Sequence, residues 1–334
     1  MQDMVSVGPK RVFITAALLL AVAIVPAIDD DPYFLQIFIM VMLYAYWGSA
    51  WNIISGFSGQ MSLGHSAFAG IGAYVSTILF INYNLSPWLG MFVGGAIAGA
   101  VGLLIGYPCF KLRGTYFTLA TIALLNVICI LVLANRTVFG FDIRGAQGLS
   151  VPWRGDSLVR MQFLSKTPYF YLILGLLLAV MAVSYAIKES RMGYYLAAIK
   201  TNQEAANSLG VDVTRYKMMA QFVSVFFTAI GGTFYAQFIL FIDPQRLLGF
   251  DLSLEIAIIA LIGGQGTVLG PVIGACILIP VSEIARAHIS GDLAALPVIL
   301  YGLALMAIIY YLPEGIHKFL GRWLRPAGGR WVAP

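Results

Sequence analysis

Residues 188–217 read KESRMGYYLAAIKTNQEAANSLGVDVTRYK, a mostly polar stretch set between two long apolar runs. In a chain whose remainder suits lipid, such a stretch has to stand in water. It contains a short helix with legible ends. Asn202 is placed to cap its start, Glu204 lies in the first turn, where the helix dipole favours an acid, and Gly210 is placed to close it. Lys188, Arg191, Lys200, Arg215 and Lys217 make the stretch basic, which puts it on the cytoplasmic side of a membrane. A short, capped helix between two spans is suited to receiving a push from a partner. An ordinary surface helix in a loop fits the same residues.

Composition sets the class. Of the 334 residues, 60% are hydrophobic and only 10% are charged, against about 25% charged in a soluble domain. Lipid must therefore be the solvent. The net charge of +5 comes from basic residues scattered through loops rather than gathered on one face, so nucleic acid is not an expected partner. Cys109, Cys129 and Cys276 lie in or beside apolar runs and form neither a metal spacing nor a disulfide framework.

Apolar runs near the ~20 residues a bilayer requires fall at 12–28, 33–54, 65–82, 87–107, 114–133, 168–187, 218–241, 253–265, 267–285 and 296–312. The predicted fold is an all-α integral membrane protein, a polytopic bundle of about ten transmembrane helices with broken or re-entrant segments. The run 253–265 is too short for a full span, so its pairing with 267–285 suggests a broken or re-entrant element. The first run follows Lys10 and Arg11 and holds Val25-Pro26-Ala27; it reads as a signal peptide or a retained anchor, and the anchor is expected. With the N-terminus inside and ten spans, thirteen of the twenty Lys and Arg fall on the cytoplasmic side and none within a span. That bias favours cytoplasmic N- and C-termini. The basic residues of the 135–167 loop run against it, although that extracytoplasmic loop is long enough to hold structure of its own.

The run 87–107 carries Gly90, Gly94, Gly95, Gly99, Gly102 and Gly106, with pairs four apart that leave one helix face bare for close packing. Two stretches resemble each other, Gly59-Gln60-Met61-Ser62-Leu63-Gly64 and Gly264-Gln265-Gly266-Thr267-Val268-Leu269-Gly270. Both carry a glutamine and a hydroxyl where the backbone is expected to leave helical geometry. Such backbone persists at membrane depth only under protein or beside a water-filled cavity. Gly59, Gln60, Ser62, Gln265 and Thr267 are thus candidates for a translocation pathway, tight interfacial turns being the other reading. Glu255 is the acid that lies within an apolar run, at a cost of roughly 2.5–3.5 kcal/mol if it sits at mid-membrane, or as an interfacial acid at lower cost. Asn52, His65, Asn126, Gln221 and Gln237 complete the polar inventory, and hydrogen bonds between helices explain most such residues.

Several chemistries are excluded. No Gly-Lys dipeptide occurs, hence no P-loop in this chain. No HExxH, zinc spacing, paired carboxylates or Arg-rich span is present, and intramembrane acids and histidines are too few for a proton relay. The pattern is that of a conduit driven by an energy source elsewhere.

Glu204-Ala205-Ala206-Asn207-Ser208-Leu209-Gly210 matches the E-A-A-x-x-x-G signature of ABC importer permeases. SRMGYYLAAIKTNQEAANSLGVDVTRYK with the run ending AIGGTFYAQF, GFSGQMSLGHSAFAGIGAYV (56–75), KLRGTYFTLATIAL (111–124) and IGGQGTVLGPVIGA (262–275) together resemble the M-type branched-chain amino acid permease family, in that family's order, over roughly residues 45–285. One departure is that Val213-Thr214-Arg215-Tyr216 stands where the broad importer signature often continues I-x-L-P. The resemblance implies a single transmembrane permease domain over 1–334 in a bacterial inner membrane, with 188–217 as the coupling loop. Glu204, Ala205, Ala206 and Gly210 would seat on an ATPase. Implied partners are a second related permease, two cytoplasmic ATPases carrying ATP and Mg, and a periplasmic or lipid-anchored binding protein; the chain itself would bind no cofactor or metal. Trp153, between Arg144 and Arg154, marks a candidate docking surface for the binding protein. Three alternatives stay open: the same architecture carrying urea or short amides, an autonomous secondary transporter, and a scaffold subunit whose pathway lies in its partner.

Overall fold

The computed structural model describes residues 31–288 apart from Arg113 and Phe139, with the backbone alone for 284–288 and with Pro26 and Gly302 as isolated points. The expected runs 12–28 and 296–312, and both chain ends, lie outside the described residues but for those two points. Helix α1 spans Pro32–Trp51 and continues into a π-helical turn, Asn52–Gly56. It is followed by α2 (His65–Tyr83), α3 (Pro87–Cys109), α4 (Thr115–Ala134) and α5 (Thr167–Glu189). Two short helices come next, α6 (Arg191–Thr201) and α7 (Gln203–Ser208), then the long α8 (Val213–Ile239). A single turn α9 (Pro244–Leu247) leads into α10 (Phe250–Gly264), and α11 (Gly270–His288) closes the described chain.

Among the described residues, seven helical segments are long and apolar enough to cross a membrane, α9 and α10 counting together as Pro244–Gly264. The protein is therefore an all-α, multi-pass membrane protein. The short run expected at 253–265 starts at Phe250 and gains length from the preceding turn. Helix α11 runs to the edge of the described residues, where its apolar stretch covers Gly270–Glu283. One element of the polar segment went unforeseen. A separate helix, α6, precedes the one that Asn202 caps.

Helix α1 is apolar on all sides and almost wholly buried, as a helix at the centre of a bundle should be. It packs on α5, α8, α10 and α11, whereas α4 and α5 present most of their apolar surface outward. On the other flank α2, α3 and α8 pack tightly against one another. Small residues permit that approach. A Cβ at Gly232 of α8 would collide with the Ala69 carbonyl of α2, and one at Gly72 with the Ala229 carbonyl. The glycine face of α3 serves the same end, with Gly94 against the Gly72 backbone and Gly95 against the Phe226 ring. Gly232→Ala should therefore cost about 1–3 kcal/mol by overpacking, read as a lower melting temperature in detergent. An unchanged midpoint would mean that the α2–α8 seam yields.

The helices alternate in direction, so their connections gather at two ends. At one end lie 52–64, 110–114, 188–212 and 264–270, and a 2.9 Å bond from Lys200 Nζ to the Gly56 carbonyl ties 188–212 to 52–64. At the other end the 135–167 segment has structure of its own. Thr137–Val138 pairs with Phe141–Asp142, and Leu149–Ser150 with Phe241–Ile242 beyond α8. Arg154 turns inward there: its guanidinium bonds the Phe80 and Ile81 carbonyls and Asn84, capping the end of α2, and lies 4.7 Å over the Phe80 ring. Lys166 bonds the Pro32 carbonyl at 2.9 Å and Gln36 at 2.7 Å. Burial draws its ammonium below the usual lysine range, and Asp31 opposes that shift.

Candidate functional site

Residues 202–211 form a compact device whose ends are set by local chemistry. The Asn202 carboxamide accepts from the Glu204 and Ala205 amides at 3.0 and 3.1 Å, satisfying donors left open at a helix start. At the far end the Gly210 amide bonds the Asn207 carbonyl and the Val211 amide bonds the Ala206 carbonyl, the paired bonds of a Schellman closure. That closure requires a left-handed residue, and Gly210 has φ +86°. Ala206 is 3% exposed and packs with Ile199 of α6 and Val213 of α8. Of the two alanines, Ala205 faces outward with Glu204, while Ala206 seats the helix on its own chain. Leu209 stands 86% exposed beside them, an apolar side chain that the sequence reading left unremarked.

Two lysines anchor this loop. Lys217 of α8 is fully buried, its Nζ 2.7 Å from Gln203 Oε1 at the start of α7 and 5.9 Å from the Phe110 ring centre. Its assignment to the solvated basic face is thus corrected: the loop folds over it. Lys200, in the last turn of α6, reaches the Gly56 carbonyl. Just past the α7 closure, an open cleft of about 460 Å³ is lined by Tyr107, Lys111, Asp212, Thr214, Arg215 and Met218.

The two glycine-rich stretches leave helical geometry at 59–64 and 265–269, as their composition led one to expect, and the second packs against the π-helical turn 52–56 that precedes the first. Gly59, Gly264 and Gly266 have φ of +73°, +125° and +82°. Asn52 holds the second stretch to that turn: its Nδ2 donates to the Thr267 carbonyl and its Oδ1 accepts from the Gly266 amide, each at 2.8 Å. Gln265 Nε2 donates to the Ser55 carbonyl at 2.7 Å, and Thr267 Oγ1 donates to the Gly264 carbonyl while accepting from the Gly270 amide. A π-helical turn at such a junction absorbs an extra residue and turns carbonyls sideways. His65 is fully buried at the start of α2. Ser224 Oγ donates to the Ala50 carbonyl at 2.7 Å, so it accepts from His65 Nε2–H at 2.9 Å, leaving Nδ1 to accept from Ser62 Oγ at 3.1 Å. This assigns a neutral, Nε2-protonated ring. The Leu63 amide and the Met61 carbonyl bond Thr121 and Thr118 of α4, tying the stretch down on its other side.

Asn52, Gly59, Gln60, Ser62, His65, Gln265 and Thr267 thus all lie at one end of the bundle, in or beside the segments 52–64 and 264–270. The other three candidates lie elsewhere. Asn126 is exposed on α4 and donates to its own helix at Ile122. Gln237 is buried near the opposite end of α8, with Nε2 lacking a partner among the described residues. Glu255, part-buried in α10, accepts from Tyr44 at 2.8 Å. Lys200, Gln203, Leu209 and Lys217 were missed; spacing alone carries no signal for a lysine that docks on a carbonyl far away in sequence.

A sequence model of the family described as branched-chain amino acid transport system / permease component matches residues 33–310. The chain is 26% identical to the high-affinity branched-chain amino acid transport system permease protein LivM of Salmonella typhimurium, over 92% of this chain and 75% of that protein. It is 25% identical to the LivH permease protein of the same organism, over 84% of this chain and 91% of that one. It is also 29% identical to the autoinducer 2 import system permease protein LsrC of Klebsiella pneumoniae, over 57% of this chain and 52% of that protein. No solved structure matches.

Proposed function

Because the chain belongs to the family of branched-chain amino acid transport system permease components, we propose that it is the permease subunit of an ATP-driven importer in a bacterial inner membrane. In this reading it carries branched-chain or related hydrophobic amino acids and pairs with a second, related permease; its relatives include both LivM and LivH permease proteins. Two cytoplasmic ATPases bind ATP and Mg, and a binding protein delivers cargo at the opposite end. Both chain ends are cytoplasmic, about ten spans cross the membrane, and the stretches 59–64 and 264–270 are its broken segments.

The observation that carries the reading is the α7 device. It is a helix closed at both ends, held from within by Ala206, and presenting Glu204, Ala205 and Leu209 outward. Such a rigid, shallow knob can enter a groove on an ATPase and pass its displacement to α8 through Lys217 and Val213. Interaction energy between ATP binding and pathway opening has to cross this contact, because the chain holds no P-loop. At the opposite end, Trp153 is 46% exposed and remains the candidate contact for the binding protein, with Arg144; Arg154 serves α2 instead.

Ala206→Leu tests the seat of the knob. The added volume forces α7 off Ile199 and Val213, and ATP-dependent leucine uptake by vesicles holding the whole assembly should fall on the order of tenfold. Uptake equal to that of the parent protein would sink the assignment. The similarity to an autoinducer permease favours one second reading, the same architecture with a non-amino-acid cargo. Competition of labelled leucine uptake by unlabelled valine and isoleucine, against urea as a solute outside the amino acids, separates the two.

A further inference from the structure

One side chain, Lys200, ties the polar loop to the π-helical turn at the end of the central helix. Lys200 lies in the last turn of α6, next to the Asn202 cap of α7. Its ammonium donates to the carbonyl of Gly56, the last residue of the π-helical turn that ends the central helix. Its aliphatic stem lies against Gly59, where a Cβ would come 3.0 Å from Lys200 Cγ. Its Nζ would stand 3.4 Å from a Cβ at Gly266. Asn52, at the start of the same π-helical turn, bonds the Gly266 amide and the Thr267 carbonyl.

We propose that Lys200 is the positioning residue that transmits movement of α7 to the joined segments 52–64 and 264–270. This inference rests on the importer reading and assigns its route. A displacement of α7 moves α6 with it, because Thr201 alone stands between Lys200 and the Asn202 cap. The charged bond to Gly56 then pulls on the end of α1, and the Asn52 bridge carries the movement to the α10–α11 turn. Glycine at 59 lets the lysine stem lie close; a Cβ there would come 3.0 Å from Lys200 Cγ and press on it.

The test uses the full assembly in liposomes, with leucine uptake and ATP hydrolysis measured together. Lys200→Met keeps the stem against Gly59 and removes only the ammonium. Expected is a fall of about tenfold in leucine moved per ATP hydrolysed, with the ATPases still bound and the melting temperature close to the parent's. Lys200→Arg, which keeps a donor of sufficient reach, should restore part of the ratio. Should the methionine variant not assemble, Lys200→Gln, too short to reach the Gly56 carbonyl, gives the same readout. A parental leucine-to-ATP ratio in these variants overturns the role of Lys200 and leaves the importer reading intact. A parent chain that holds no ATPase and moves no leucine overturns both.

Discussion

Gly210→Pro should reduce ATP-dependent leucine uptake by about a hundredfold, the upper range of a coupling free energy carried through one contact. Proline holds φ near −65°, whereas Gly210 sits at +86°. It also lacks the amide that bonds Asn207. Both the turn and half of its paired closure are lost, so α7 cannot end where it does and Val211 leaves Ala206. Gly210→Ala is the informative control. No atom lies within 4 Å of where its Cβ would stand, so only the left-handed backbone is penalised, by about 1–2 kcal/mol, and uptake should fall far less. Equal losses in the two variants would mean that side-chain bulk at 210, rather than the turn, governs contact with the ATPase.

Asn52→Ala should lower stability by roughly 1–3 kcal/mol, because two part-buried backbone groups lose their partner and water satisfies them only in part. The Thr267 carbonyl loses its donor and the Gly266 amide its acceptor. Because those two bonds hold the 264–270 turn against the end of α1, the loss should appear as a lower melting temperature together with protease cleavage at 264–270. Ionised, Asn52→Asp keeps an acceptor for the Gly266 amide but sets a carboxylate against the Thr267 carbonyl, so it should not restore the parental melting temperature. Unchanged melting in the alanine variant would mean that Gln265 alone holds the turn, through its 2.7 Å bond to Ser55.

What could be read before the coordinates were known follows a physical divide. The apolar runs were legible because lipid demands them, and all but one of the eight within the described residues match helices long enough to span. The ends of α7 were legible because Asn202 and Gly210 act on amides within a few residues of themselves. The departures from helix at 59–64 and 264–270 were signalled by glycines that the structure shows at positive φ. Contacts between distant parts of the chain were not legible. Nothing in the sequence pairs Asn52 with Thr267 or Lys200 with Gly56. Ala205 and Ala206 are the same residue type, and only the packing of α6 and α8 decides which one faces inward. Lys217 belonged by composition to a solvated loop, yet Gln203 and the Phe110 ring give it a buried place. Helix α6 was missed because the residues before Asn202 mix apolar and charged side chains without a side-chain cap at its start.

The central claim is that this permease is driven through α7 by ATPases on other chains. The most direct measurement is affinity purification of the full chain from its native membrane in mild detergent, parent beside Gly210→Pro, with every co-purifying protein identified. The account predicts that the parent brings down a second permease and P-loop ATPases, and that the proline variant keeps the permease and loses the ATPases. A parent chain recovered alone and monodisperse, moving leucine in liposomes without ATP, would contradict it.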